Sequence, residues 1–166
     1  MSIEAVRAYL KRFGAENRIL ELAESSATVE LAAHAWGVEG ARIAKTLSVH
    51  AGEEVVLLVM AGDAKIHNGK FKRLFHSKPH MLSAEEALEY TGHAVGGVCP
   101  FALATPIPVY LDESLRRFTT VFPACGSGNS AIELTLDELE RFSEAKGWID
   151  MGKLPEEEGN AAAIPV

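Results

Sequence analysis

RIAKTLSVHAGEEVVLLVMAG, residues 42–62, decides how the rest of the chain can fold. Its first part, RIAKTLSVH (42–50), alternates as a half-buried strand does, and EVVLLVMAG (54–62) is apolar without interruption. The second pattern reads as a central strand covered on both faces. Side chains alternate along a strand, so Ile43, Lys45, Leu47 and Val49 share one face, and all but the lysine are apolar. A lysine there is costly unless it reaches an opposite charge, a cleft or a ligand. An ammonium that snorkels past the strand end is the plain alternative. Because Lys45 sits mid-strand with apolar residues two positions either side, the cleft is favoured.

Toward the N-terminus, Ile3, Val6, Leu10 and Phe13 recur at helical spacing, with Gly14 as the cap, and RILEL (18–22) reads as a short strand. Ser25, Ser26 and Thr28 supply N-cap chemistry for a helix with Val29, Ala32, Ala33 and Trp36 on one face, ended by Gly37 and Gly40. Toward the C-terminus, Phe71, Leu74 and Phe75 mark a short helix, and Ser83 with Glu86 forms a capping box for a helix over 84–90, with Leu82 as the staple and Gly92 as the stop. IPVYL (107–111) is predicted to be an edge strand because of Pro106 and Pro108. Asp112 caps one helical turn; RFTTVF (117–122) and AIELTL (131–136) are strands parted by the turn PACGSGN. Thr135 and Glu138 form a second capping box, for a helix with Leu136, Leu139, Phe142 and Ala145 on its face and Gly147 at its end. Many short strands with irregularly inserted helices predict a mixed α/β domain, a curved, barrel-like sheet surrounded by helices. That domain is expected to span residues 1–151, with 152–166 as a flexible tail lacking periodicity.

At 166 residues one domain with a proper core is expected, and no run approaches membrane-spanning length. A net charge of −7 argues against a non-specific nucleic-acid binder. KIHNGKFKRLFHSKPH (65–80) opposes that trend, with Lys65, Lys70, Lys72, Arg73 and Lys78 and no acid. Taken alone it reads as a solvated helix face, and more sharply as a phosphate-binding patch. Two cysteines, Cys99 and Cys125, with no CxxC point to a reduced, cytoplasmic protein. Pro79 breaks the helix that would align His76 with His80, so no metal site is expected, and with neither a Rossmann fingerprint nor a Walker loop in the sequence no cofactor is expected.

TGHAVGGVCPF (91–101) interrupts an otherwise strand-like stretch with Gly96, Gly97 and Pro100. Glycine lets backbone approach a ligand closely, and amides left unpaired there can stabilise a developing oxyanion. A β-bulge with a tight turn explains the pattern equally well. Cys99 and Cys125 read as small buried residues rather than nucleophiles: His93 lies six residues from Cys99 on an extended segment, and no triad is legible.

IAKTL (43–47), the apolar strand ending in AGD (61–63), TGHAVGGVCPF and GSGNSAIELT (126–135) occur in an order that resembles the YbaK/EbsC family of aminoacyl-tRNA editing domains, over roughly residues 20–145. That family includes free-standing deacylases and the editing insertion of bacterial prolyl-tRNA synthetase. The resemblance implies a trans-acting aminoacyl-tRNA deacylase that hydrolyses the ester of a mischarged small amino acid on tRNA, most often tRNA for proline. It implies that water attacks the carbonyl and that the terminal ribose hydroxyl of the tRNA helps move the proton. It implies catalytic roles for Lys45, Gly96 and Gly97, and substrate contacts from Thr28, Thr46, Val98, Cys99, Pro100, Cys125 and Gly126. Lys70, Lys72, Arg73 and Lys78 would hold the tRNA. Mischarged tRNA is the expected partner, with an aminoacyl-tRNA synthetase as a further one, no membrane, and a monomer or homodimer as the assembly. Certain relatives carry serine or basic residues where this chain has Ala124, Cys125, Gly126 and Ser127, so the resemblance leaves the accepted amino acid open. A non-catalytic module binding aminoacyl-tRNA or an amino acid in the same cleft, and a thiol hydrolase, are the competing readings.

Overall fold

The structure, a computed structural model, describes residues 2–23 and 28–155. In chain order its elements are α1 (Ser2–Leu10), β1 (Leu20–Glu21), α2 (Val29–Trp36), β2 (Ile43–Ala51), β3 (Glu54–Ala61), β4 (Lys65–Ile66), α3 (Asn68–Phe75), β5 (Pro79–Met81), α4 (Ala84–Thr91) and β6 (Val109–Asp112). They continue as β7 (Thr120–Pro123), β8 (Ser130–Ala131), β9 (Leu134–Thr135), α5 (Leu136–Ser143), β10 (Gly147–Ile149) and β11 (Gly152–Lys153). The main sheet runs β10-β6-β3-β2-β7-β9 and mixes parallel with antiparallel pairs, curling into a half-barrel flanked by the helices. This is the mixed α/β, curved-sheet fold expected from the sequence.

β3 is the centre. Val56 to Ala61 are all fully buried, as six consecutive apolar residues must be when both faces of a strand are covered. β2 pairs antiparallel with it along nearly its whole length, placing Lys45 opposite Met60. The other edge of β2 is shared. β7 pairs with Ile43 and Ala44 at one end, β5 pairs with residues 49–51 at the other, and among the described residues no strand pairs with residues 45–48 on this edge.

Local chemistry behaves as predicted at both capping boxes: Ser83 with Glu86 and Thr135 with Glu138 each close reciprocally. Thr28 caps α2 by accepting from the Leu31 amide, whereas Ser25 and Ser26 lie outside the described residues. The Asp112 carboxylate accepts from Ser114 N, capping the short 3-10 helix Glu113–Arg117.

Several expectations need correction. IPVYL is not an edge strand: β6 lies between β3 and β10 and is parallel to both. Its prolines precede the paired residues, and Pro108 contributes only its carbonyl, to Leu57 N, so the missing proline N–H costs the ladder nothing. Gly147 does not end α5, which closes at Glu144 with φ 53; Gly147 opens β10. RILEL keeps only Leu20–Glu21 as strand, RFTTVF yields Thr120–Pro123, and AIELTL splits into β8, β9 and the first turn of α5. Past the expected domain end at 151, Gly152–Lys153 pairs with β4, and residues 156–166 lie outside the described residues. Among the described residues no helix is long and apolar enough to cross a membrane.

Candidate active site

The unpaired stretch of β2 opens onto a pocket of about 350 Å³. Its walls are β2 itself, α2 through Val29, Ala32 and Trp36, the start of α4 through Ala87, and the loop carrying Val95, Gly96 and Val98. Leu82 N donates to Ser48 O at the edge of the gap. By the alternation of a β ladder, the N–H and C=O of Thr46 then point to the same side.

Lys45 lines this pocket and is half-buried. Its ammonium donates to Gly62 O at 3.3 Å and to Ala64 O, the carbonyls on either side of Asp63. Burial lowers its pKa; Asp63 opposes that shift, Lys65 adds to it, and Glu30 also opposes it. The sequence argument for a cleft lysine therefore lands on a lysine that borders a cleft and is anchored on backbone carbonyls. An ammonium carries three donors, so one N–H remains beyond the two carbonyls.

The glycine loop divides its labour. Gly97 N donates to Ala94 O at 2.9 Å, closing a tight turn whose third residue, Gly96, has φ 98. That left-handed backbone is the reason for glycine at 96. Gly97 is glycine for another reason: a Cβ there would lie 2.7 Å from Gly126 C and from Ser127 N, backbone against backbone. Its amide is thus engaged and it does not line the pocket. Gly96 and Val98 do line it, and among the described residues their amides have no hydrogen-bond acceptor.

Of the other predicted contacts, Thr28 and Thr46 line the pocket, whereas Cys99, Pro100, Cys125 and Gly126 stand outside its lining. Cys99 and Cys125 are fully buried. The extended segment folds back so that Cys99 Sγ lies 3.5 Å from His93 Nε2, a contact that six residues of sequence separation concealed. It does not make a nucleophile. Nε2 lies 2.7 Å from Phe101 O, and a carbonyl can only accept, so Nε2 carries the proton and Nδ1 accepts from Ser2 Oγ. Burial pushes the Cys99 thiol up to about 12 and keeps His93 neutral by lowering its pKa. The cluster anchors the loop from below.

Sequence reasoning missed the role of Trp36, Ile43, Phe122 and Ala131 as pocket walls, because core packing and pocket lining share one apolar pattern. Two buried polar atoms of the lining, Thr46 Oγ1 and Trp36 Nε1, have no hydrogen-bond partner among the described residues. Such groups are costly unless something polar enters beside them. In the basic segment, Lys70 is committed to Asp150 Oδ1 at 2.9 Å and Gly152 O at 2.8 Å, while Lys72, Arg73 and Lys78 are exposed.

A half-buried lysine, a glycine turn and an unpaired strand edge thus surround one small pocket. Residues 23–142 match the family described as the aminoacyl-tRNA editing domain, and the chain belongs to that family. It is 56% identical over 154 residues to the uncharacterized protein YwhH of Bacillus subtilis (strain 168), covering 92% of this chain and 98% of that one. It is 28% identical over 125 residues to the proline–tRNA ligase of Oleidesulfovibrio alaskensis, covering 75% of this chain and 21% of the ligase. Among solved structures, a candidate trans-editing enzyme for prolyl tRNA synthetase superposes with a TM-score of 0.83 at 31% identity, over 92% of this chain and 97% of the other. The fold and the editing class are therefore those of a prolyl-tRNA-synthetase-type editing domain.

Proposed function

We propose that this chain acts in trans as an aminoacyl-tRNA deacylase, removing a wrongly attached small amino acid from tRNA for proline. The observation that carries the reading is the half-buried Lys45 ammonium, sharing one pocket with Gly96 and Val98, whose amides lack an acceptor among the described residues. In this reading the amino acid side chain occupies the apolar part of the pocket, between Ala32, Ile43 and Phe122. The loop amides meet the ester carbonyl, where charge develops. The free N–H of Lys45 meets the terminal phosphate or ribose and positions it. Water adds to the carbonyl carbon and the bond to the ribose oxygen breaks. A neighbouring ribose hydroxyl relays the proton, so free amino acid and uncharged tRNA leave.

Exposed Lys72, Arg73 and Lys78 are the side chains proposed to meet the acceptor stem. Their segment leads directly into β5, whose Met81 lines the pocket. The test is to incubate the protein with tRNA for proline charged with alanine, cysteine, serine or proline and to follow ester loss. Loss from at least one non-cognate charge, with the proline ester spared, is the expected result. Binding without ester loss would make the chain a non-catalytic module instead.

A further inference from the structure

The turn that receives Lys45 is held from outside the pocket. Ala61 N donates to Ser114 Oγ at 3.0 Å, fastening the end of β3 to the 3-10 helix Glu113–Arg117. The last residue of that helix, Arg117, grips Asp63 with both arms of its guanidinium, Nη1 to Oδ2 at 3.0 Å and Nη2 to Oδ1 at 2.5 Å. Its Nε donates back to Ser114 O at 2.9 Å, so the fork is oriented by its own helix. Asp63 lies between the two residues whose carbonyls hold Lys45. A carboxylate is a stronger acceptor for an ammonium than a peptide carbonyl is. Lys45 nevertheless rests on the carbonyls, and the carboxylate is occupied by the bidentate fork, a geometry that a lysine cannot match.

We infer that Arg117 is a positioning residue for Lys45: by occupying Asp63 it keeps the lysine ammonium on the Gly62 and Ala64 carbonyls, with one N–H left for the aminoacyl end of tRNA. This rests on the reading of Lys45 as the group that positions substrate. Three charged groups act on Lys45, namely Asp63, Lys65 and Glu30, and the first of them is hydrogen-bonded by Arg117. Removing the guanidinium should turn Asp63 into a trap that draws the ammonium out of place, and removing the carboxylate as well should disarm the trap.

The experiment is a cycle of Arg117→Ala, Asp63→Asn and the double variant, each checked by thermal melt. It is read by single-turnover hydrolysis of whichever aminoacyl-tRNA the parent hydrolyses, and by NMR titration of the Lys45 side-chain nitrogen. Arg117→Ala should slow turnover by on the order of tenfold to hundredfold, the cost of displacing a positioning group by about an ångström. The double variant should regain most of that loss, which a merely structural role would not allow. The Lys45 pKa should rise in Arg117→Ala, fall in Asp63→Asn and return in the double variant. A double variant as slow as Arg117→Ala, or an Arg117→Ala protein as fast as the parent, overturns the inference. If the parent hydrolyses none of the charged tRNAs, the deacylase reading fails by itself, and the Lys45 titration alone decides: values unchanged across the cycle overturn the positioning role. Should Arg117→Ala unfold, Arg117→Lys takes its place, keeping a charge without the fork; parental turnover and a parental Lys45 titration in that variant also overturn it.

Discussion

Replacing Lys45 by alanine tests the site most directly, and the structure sets the size of both effects. Ala64 is fully buried, and its carbonyl loses the lysine donor, while the half-buried Gly62 carbonyl loses a second, longer bond. Leaving a buried acceptor unpaired costs about 1–3 kcal/mol. Removing a half-buried ammonium returns part of that by ending its desolvation. The net destabilisation expected is therefore about 1 kcal/mol, a fall in Tm of roughly 2–4 °C for a domain of this size. The effect on turnover should be far larger. Loss of a preorganised charge or donor at a reacting centre costs on the order of 10²–10³ in rate. Lys45→Met separates the two roles, since it keeps most of the stem and deletes the ammonium, and it should be nearly as slow as Lys45→Ala. Lys45→Arg should stay well below the parent, because a planar fork cannot bond both carbonyls and still present one N–H as an ammonium does. The assay pairs a thermal melt with single-turnover hydrolysis several degrees below the lowest Tm. A Lys45→Ala protein that melts within a few degrees of the parent and hydrolyses at the parental rate refutes the site.

Four further outcomes are expected. Gly97→Ala forces a Cβ to within 2.7 Å of the Gly126 and Ser127 backbone and should cost on the order of 1–3 kcal/mol while displacing Gly96 and Val98, read as a lower Tm together with slower turnover. Asp112 is 2% exposed and accepts from Ser114 N, Met151 N and Gly152 N. Asp112→Asn cannot accept with both positions of its side chain, so it should cost about 2 kcal/mol in a denaturant melt and speed proteolysis near residue 151. Cys99→Ser should keep most of the deacylase activity, and the native Cys99 thiol, held near 12, should resist alkylation at pH 8 until the protein unfolds; loss of turnover in a folded Cys99→Ser protein would revive thiol chemistry. Replacing Lys72, Arg73 and Lys78 together by alanine should weaken tRNA binding and lower its salt slope by about one per lost phosphate contact, whereas an unchanged slope would leave the segment a solvated face.

What could be read from residues alone was local. Ser83 with Glu86 and Thr135 with Glu138 announce their helices because both partners of each capping box lie within four residues. The burial of β3 and the odd placement of Lys45 follow from alternation within single strands. What escaped depends on partners far away in sequence. β6 looked like an edge because its prolines are local, while β10, which covers its free side, lies some forty residues on. Lys70 looked like a free cation, and only the return of Asp150 and Gly152 beside α3 engages it. Gly97 looked like a donor for a ligand because nothing nearby shows that residues 126–127 press against it.

The pocket is the same lesson applied to function. No single element contains it. β7 claims one end of the β2 edge and β5 the other, and the stretch left unpaired between them among the described residues contains Lys45 and Thr46. An open strand edge is a hazard unless it is covered, and here α2, α4 and the glycine turn cover it without pairing with it. In the proposed reading the peptide groups of Thr46, sheltered from competing strands, are open to a small ester. In the proposed deacylase reading the site uses no acid, base or thiol of its own. The polar groups of its lining include the hydroxyls of Thr28, Thr46, Ser48 and Ser130, the Trp36 indole N–H, the Lys45 ammonium and backbone amides, which offer donors to a reaction in which negative charge grows on substrate oxygen. In that reading the proton movement comes from the substrate, whose terminal ribose supplies a hydroxyl beside the ester. A substrate lacking that hydroxyl, tRNA ending in a deoxyribose at the neighbouring position, should bind this pocket with little change and be hydrolysed far more slowly; equal rates for the two would place the proton relay on the protein.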